Sequence, residues 1–451
     1  MILPASHPQR LELNDEVHAR PPEAMAPPLR VSYLALLNDP ARRDAAWEAV
    51  VALAQRMAVA PPLPGASHFS ADFGPFRLKW ESHTEFHRIM IFAPLKGDVS
   101  APLAGDDPFT EPAIATVPAD WVEALPGRLL VAAHVGLLSS AAAAPDLDTI
   151  SDRLFAGNVL AGGQMAGGLA HAFTDFRIHT GGFSRMLVLD GGMSPRQAGR
   201  YVQRLLEIDT YRMLALLALP MAREIGPFLT RSEQELARII SALVKASDAD
   251  EPELLERLTN LAAEVEAREA ESLYRFSAAD AYYELVQRRI AELREVRIEG
   301  VQTLQEFTER RLAPAMNTCR AIAARQDALS RRVARATALL STRVDLTRER
   351  QNQEVLASMN RRAQQQLRLQ ETVEGLSIAA VTYYVVGLVG YVAKGLKAGG
   401  AKLDPDLVTG VAIPVVAVVV ALGLRQVRRF LKRRRKPRAG EWGGFKPPQP
   451  G

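Results

Sequence analysis

Leu376–Ala393 reads LSIAAVTYYVVGLVGYVA, and Leu407–Leu424 reads LVTGVAIPVVAVVVALGL. Each stretch is eighteen residues long and carries no charge. As a helix, each extends about 27 Å, close to the ~30 Å hydrocarbon core of a bilayer. They are joined by Lys394-Gly-Leu-Lys-Ala-Gly-Gly-Ala-Lys-Leu-Asp-Pro-Asp406 and followed by a basic tail, Arg425 to Arg438. The pattern predicts a two-helix transmembrane hairpin over residues 376–424, spans 376–393 and 407–424, with the preceding 375 residues on one side of the membrane.

The tail decides how the charge is read. The calculated pI of 9.2 resembles that of a nucleic-acid binder. However, Arg425–Arg438 holds nine of the 55 Lys and Arg and no acid, so the other 46 face 51 Asp and Glu. The basicity is local, and next to a membrane segment it attracts anionic lipid and sets orientation. Anionic lipid at Arg425–Arg438 is therefore the expected partner, and no nucleic acid is expected. A positive tail keeps the C-terminus in the cytoplasm, and two spans return the N-terminal part to the same side. The flanks of the first span decide less, because Arg361, Arg362 and Arg368 before it are balanced by Lys394, Lys397 and Lys402 after it. The first residues, MILPASHPQR, hold no apolar core of a secretion signal, and a single cysteine, Cys319, permits no intrachain disulfide. Both fit a reducing cytoplasm.

Ahead of the hairpin the chain changes character near residue 190. Leu29–Leu37 (LRVSYLALL) predicts a buried strand, and Asp39–Ala58 a helix stopped by Pro61, Pro62 and Pro64. Alternating runs His68–Phe73, Phe76–Ser82 and Glu85–Phe92 predict strands with one covered face. Pro118–Leu125 predicts a short helix. Arg128–Leu138, His171–Thr180 and Ser184–Leu189 predict further strands. Glycine-rich 157–168 lacks the Gly-Lys-Ser/Thr ending and the Gly-x-Gly-x-x-Gly spacing of phosphate cradles, so tight turns and backbone crossing at a sheet edge are expected there. From Ser194-Pro195, an N-cap followed by proline at the first helical position, helices take over. Met213–Met221 is apolar but too short to span a bilayer and predicts buried core. Leu254, Leu258, Leu261 and Val265, then Phe276, Ala279, Tyr283, Val286, Ile290 and Leu293, step by three and four, the spacing of a coiled-coil seam or helix bundle. Two long helices, broken near Gly300 or Pro314, fit this stretch, the second running on through Leu367 and Val373 to Leu376.

Several polar groups are candidates for chemistry. Asn14, Asp15, Glu16, His18 and Arg20 crowd both charge signs before the first strand, as a ligand site or as a clasp that caps nearby backbone. Glu81, His83, Glu85 and His87 share one face if their segment is a single extended strand. Neighbours two apart are then ~6.8 Å apart, whereas His83 and His87 are ~13 Å apart and cannot share a metal. The order is not His-Glu-x-x-His, and a solvated sheet face is the expectation. Asp175, Arg177 and His179 likewise share a strand face and suit a surface salt bridge. Ser377, Tyr384 and Tyr391 recur every seven residues on the first span, as an ion path or as a packing face. Gly387 and Gly390 there would admit a neighbouring helix. No Ser-His-Asp or Cys-His arrangement stands out, so no catalytic residue is assigned, and no cofactor or metal is implied.

Two resemblances follow from these motifs. Asn14-Asp-Glu-Val-His-Ala-Arg-Pro-Pro22, Trp80-Glu-Ser-His-Thr-Glu-Phe86, Thr174-Asp-Phe-Arg177 and Val373-Glu-Gly-Leu-Ser-Ile-Ala-Ala-Val-Thr-Tyr-Tyr384 resemble an uncharacterised bacterial family of membrane-anchored proteins, defined only as a domain of unknown function. That resemblance covers nearly the whole chain, implies the bacterial inner membrane, and brings no activity. The layout of residues 250–436 resembles the CorA-type magnesium channels, which implies a pentamer with the first span lining a pore. The departure is Tyr391-Val-Ala-Lys-Gly395 where that family carries Gly-Met-Asn, with three Lys and two Asp in the link, a poor lure for divalent cations.

The expectation is thus an α+β/α-helical membrane protein: a cytoplasmic α/β domain (1–190), a long-helix stalk (191–375), the hairpin (376–424) and a basic cytoplasmic tail (425–451). Self-association is expected. A CorA-like homo-oligomeric channel and a tethered sensor or scaffold with the hairpin as mere anchor both stay open. An enzyme on the α/β face, uniting His18, Arg20 and the Glu81–His87 segment, is the third reading.

Overall fold

A computed structural model describes all residues except 1–3, 12, 15–20, 40–43, 96–106, 141–145, 401, 403 and 435–451, and all described side chains except those of 374, 424, 425 and 427–434. Contacts divide the chain into two units, residues 1–341 and 342–451.

The first unit is built on a mixed eight-stranded sheet followed by long helices. Leu29–Leu37 (β1) lies in its middle, and its seven inner residues are all buried, as a strand covered on both faces requires. Around it run β2 (His68–Asp72), β3 (Arg77–Ser82), β4 (Phe86–Pro94), β5 (Arg128–Ser139), β6 (Ala161–Met165), β7 (Ala170–Thr174) and β8 (Ser184–Asp190), in the order β2-β3-β4-β1-β5-β8-β7-β6. Every neighbouring pair is antiparallel except β5 with β8. The chain between those two makes helix Leu147–Leu154 and the β6–β7 hairpin before returning.

Alternation along the strands sorts the side chains onto two covered faces. On one, Leu78 and Trp80 of β3 and Ile89 and Ile91 of β4 pack with Val50 and Leu53 of helix α1 (Ala45–Arg56) and Trp121 of helix α2 (Ala119–Glu123). Further along, Ile150, Leu154 and Phe155, in and just after α3 (Leu147–Leu154), pack on Phe173, Leu187 and Leu189. The opposite face is covered by α4 (Pro195–Leu216), which lies on β5 and is itself backed by α6 (Glu251–Leu293). Helix α5 (Ala218–Lys245) also packs on α6.

Local chemistry explains these helices. Ser194 accepts from Gln197 N and the Gln197 side chain accepts from Ser194 N, a full capping box with Pro195 at N1. The α4–α5 break falls at Leu217, where Pro220 cannot donate to the Leu216 carbonyl. Leu214, Ala215 and Ala218 beside the break are buried. All ten apolar positions of the three-and-four seam from Leu254 to Leu293 are buried. Helix α6 stops where Arg294 turns left-handed, and breaks occur on both sides of the short α7 (Leu304–Arg311). The next helix, α8, runs without interruption from Ala313 to Ala398.

Two glycines sit where backbone crosses backbone. A Cβ on Gly199 of α4 would lie 1.7 Å from the Glu23 carbonyl, because residues 21–28 cross the helix there, with Met25 N donating to Pro195 O. A Cβ on Gly163 of β6 would meet Val296 O at 2.7 Å. Residues 294–303 run along the outer side of β6, joined to it by bridges Gln164–Val296 and Ala161–Gln302.

The second unit holds the rest of α8 and α9 (Pro405–Arg434). By length and composition, three helical stretches among the described residues could cross a bilayer: Pro195–Lys245, Leu304–Ala398 and Pro405–Gly423. Within the protein, 33% of the apolar window of the first is buried, against 11% and 0% for the others.

Candidate functional site

The hairpin between β3 and β4 corrects the reading of Glu81, His83, Glu85 and His87. The strand ends at Ser82 and a new one starts at Phe86, so the segment folds back on itself. Its register sets Glu81 against Arg88 and Ser82 against His87, which sends Glu81 and His87 to opposite faces of the sheet. Nor is the face solvated. Glu81 is only 1% exposed and takes Lys79 at 2.9 Å and Arg88. Arg88 continues to Glu207 of α4 at 3.2 Å, and Glu207 receives Gln203 at 2.8 Å and Arg289 of α6 at 2.6 Å. Burial alone would raise the Glu81 carboxyl, but Arg88 and Lys79 outweigh it and hold the group below its ordinary value. Glu207 is held down against its burial in the same way, by Arg88 and Arg289. Tyr33, pushed upward by burial, hydrogen-bonds Thr210 at 2.7 Å. With its carboxylates ionised and paired, this network rivets sheet to helices and offers no free acid or base at neutral pH.

The remaining members of that segment are placed separately. His83 stacks on Phe86 and lies 3.9 Å from Glu81, whereas Glu85 pairs with Arg275 at 3.0 Å. His87 is buried, with Nδ1 2.9 Å from Asn38 Oδ1, and burial lowers its pKa to about 4. A second buried histidine, His134, lies 3.0 Å from Ser32 Oγ and stacks on Phe183. Burial, then the charge of Arg185, lowers it to about 4. Both imidazoles are neutral at physiological pH. Among the described residues no three His, Cys, Asp or Glu side chains gather as a metal-binding set.

Asp175, Arg177 and His179 also leave the strand on which they were expected. β7 ends at Thr174, whose hydroxyl accepts from Phe176 N at 3.1 Å while Asp175 Oδ1 accepts from Arg177 N at 3.1 Å. These two side chains hold a turn with Phe176 at φ +53°, a left-handed conformation costing roughly 1–2 kcal/mol for a bulky residue. Asp175 Oδ2 receives Asn158 Nδ2 at 2.9 Å and faces His179 Nε2 at 2.9 Å. The Asp175–His179 pair is therefore part of the turn. Arg177, with Asp175, lines a pocket beside the turn.

That pocket, of about 610 Å³, lies between the turn, α4 and α7. Phe176 and Phe307 stack at 4.3 Å in its wall, with the Arg212 guanidinium 4.9 Å over Phe176 and tied to Asp209. Arg310 and Arg311, in the last turn of α7, complete a lining of four arginines. Asp175 is the single acid, and it is already engaged. Sequence reading found Arg177 and missed the other three. The available signal was the Arg310-Arg311 pair beside the helix break.

Elsewhere, Asn14 is exposed, and Asp15, Glu16, His18 and Arg20 lie outside the described residues. In the second unit Tyr384 and Tyr391 line one cleft of about 690 Å³ with Gly387 and Ile413, but Ser377 does not and donates to Val373 O of its own helix. Gly390 does face a neighbour, Thr409, whereas nothing approaches Gly387.

No curated protein and no solved structure matches the chain. Residues 5–431 match the model of a family described as Protein of unknown function (DUF3422). With nearly its whole length matched, and with the motifs around Asn14, Trp80, Asp175 and Tyr384 inside the matched span, the chain belongs to the DUF3422 family.

Proposed function

We propose that this protein is a membrane-anchored scaffold or sensor of the bacterial inner membrane, held by the 376–424 hairpin with its large first unit in the cytoplasm. One observation carries the reading. Leu376, Leu388, Leu407 and Val419 are 74%, 64%, 69% and 63% exposed, on two charge-free eighteen-residue helical stretches. An apolar surface of that extent is unstable in water and suits a hydrocarbon solvent. Lys394, Lys397 and Lys402 at the link and the Arg425–Arg438 tail suit the two interfaces. The Pro195–Lys245 stretch is read as core instead, because Leu214, Ala215, Ala218 and Ala222 are buried within the first unit.

Alkaline carbonate washing of membranes tests the anchor: retention is expected, and release of the full chain would overturn it. The single native cysteine makes the topology measurable. In a Cys319→Ser background, Gly400→Cys should react with an impermeant maleimide from outside, and Gly440→Cys only after permeabilisation.

A channel of CorA-like layout is the second reading. Its support is Thr382, a residue of the tyrosine cleft whose buried hydroxyl has no hydrogen-bond partner among the described residues. Light scattering of the full chain in mild detergent separates the readings. A defined pentamer whose ion flux is lost on Thr382→Val favours the channel. Retention of function after exchange of the hairpin for unrelated spans favours the anchor.

A further inference from the structure

We propose that the arginine-lined pocket of the first unit binds a soluble small molecule carrying two or more phosphate groups. Four arginines, Arg177, Arg212, Arg310 and Arg311, line one open pocket of about 610 Å³. That is the size of a site for a compact phosphorylated metabolite. The first comes from the β7–β8 turn, the second from α4 and the last two from α7, so three separate elements deliver the same charge to one place. Cations at the end of α7 suit its dipole, but the dipole accounts for neither Arg177 nor Arg212.

Three of the four charges are uncompensated. Asp175 is occupied by Asn158 and His179, and Asp209 by Arg212 and the Ser184 hydroxyl. Among the described residues none pairs with or hydrogen-bonds the guanidinium groups of Arg177, Arg310 or Arg311. Arg212 Nε is shut off from solvent and has no acceptor among the described residues. The lining uses arginine and no lysine, and the planar fork of arginine matches phosphate oxygens two at a time. The aromatic pair does not call for a base or ring in the ligand, because Phe176 is already covered by Phe307 on one side and by Arg212. Its place in the left-handed turn instead fixes the wall from which Arg177 projects.

Isothermal titration of the detergent-solubilised full chain with inorganic pyrophosphate and tripolyphosphate, in about 0.15 M salt, tests the site. Saturable one-to-one binding is expected, tighter for tripolyphosphate. Arg177→Ala, Arg310→Ala and Arg311→Ala should each weaken it about tenfold while leaving the unliganded melting temperature unchanged. Arg297→Ala, whose charge answers Glu306 and does not line the pocket, should bind as the unaltered chain does. Absence of saturable binding to either anion would overturn the proposal, as would an equal loss in Arg297→Ala. Binding to vesicles of anionic lipid that needs the three arginines, with no binding of free phosphates, would also overturn it and assign the patch to the membrane surface.

Discussion

Glu81 and Arg88 sit opposite each other across the β3–β4 hairpin, and the same guanidinium reaches Glu207 of α4. One cation thus pairs with two buried carboxylates from different layers, which Lys79 and Arg289 answer from their outer sides. Arg88→Ala would leave both without it in a low-dielectric interior, and a loss of about 3–5 kcal/mol is expected. Chemical denaturation of the full chain in detergent should show it. Glu85→Gln, which removes the charge of the outer pair with Arg275 beside Tyr274 and Tyr282, should lose less, and equal losses would refute the ranking.

The buried histidines set an acid limit. An unfolded imidazole titrates near ~6.5, whereas His87 and His134 titrate at about 4 when folded. The unfolded chain therefore binds more protons as pH falls from ~6.5 toward 4. Their stabilisation is complete above ~6.5, declines through that window and is gone below 4, by at most about 3 kcal/mol each. Glu81 and Glu207, depressed when folded, lose their contribution only further down, as pH falls from the ordinary carboxylate range through their lowered values. Replacing both histidines with glutamine should flatten the melting temperature between pH 6.5 and 4. An unchanged slope would show that other groups set it.

Gly199→Ala tests the crossing of the N-terminal segment over α4. The new methyl group would overlap the Glu23 carbonyl. Residues 21–28 are expected to lift, at a cost of about 1–3 kcal/mol, and limited proteolysis should then cut there. Lys79 donates to Pro21 O in the same segment, so displacement also removes a partner of the buried network. Unaltered protease resistance would refute the contact.

Within the hairpin, the two glycines should respond differently. A Cβ on Gly390 meets Thr409 Oγ1 at 3.3 Å, and one on Gly387 meets nothing. In the Cys319→Ser background, the pair Gly390→Cys and Thr409→Cys should cross-link under oxidation. The pair Gly387→Cys and Thr409→Cys should not. The reverse pattern would place the spans in another register.

Much of the helical half was legible, because its signals are local. Leu254 to Leu293 revealed its buried stripe by spacing alone, and Ser194-Pro195 revealed a helix start by capping chemistry. β1 and β5 were visible as apolar runs. β6 was not, because Ala-Gly-Gly-Gln-Met lacks the branched side chains that mark strands and is held by its neighbours. The turn at 83–85 carries no glycine or proline, so Glu81 and His87 looked like members of one face. The pocket was beyond local reading for a different reason. Arg177 meets Arg212, Arg310 and Arg311 only because the sheet, α4 and α7 are brought together over more than a hundred residues.

The strip of chain along β6 bears on how the protein is made. A bare sheet edge invites pairing with other chains, and β6 is shielded by residues 294–303, which follow it by about 130 positions. At ribosomal speed that shield emerges on the order of ten seconds after the strand does. During synthesis the nascent sheet is a transient template for self-pairing, and a chaperone has that long to guard it. A chain ended just before Val296 would keep the vulnerability permanently, and is expected to be recovered as aggregate.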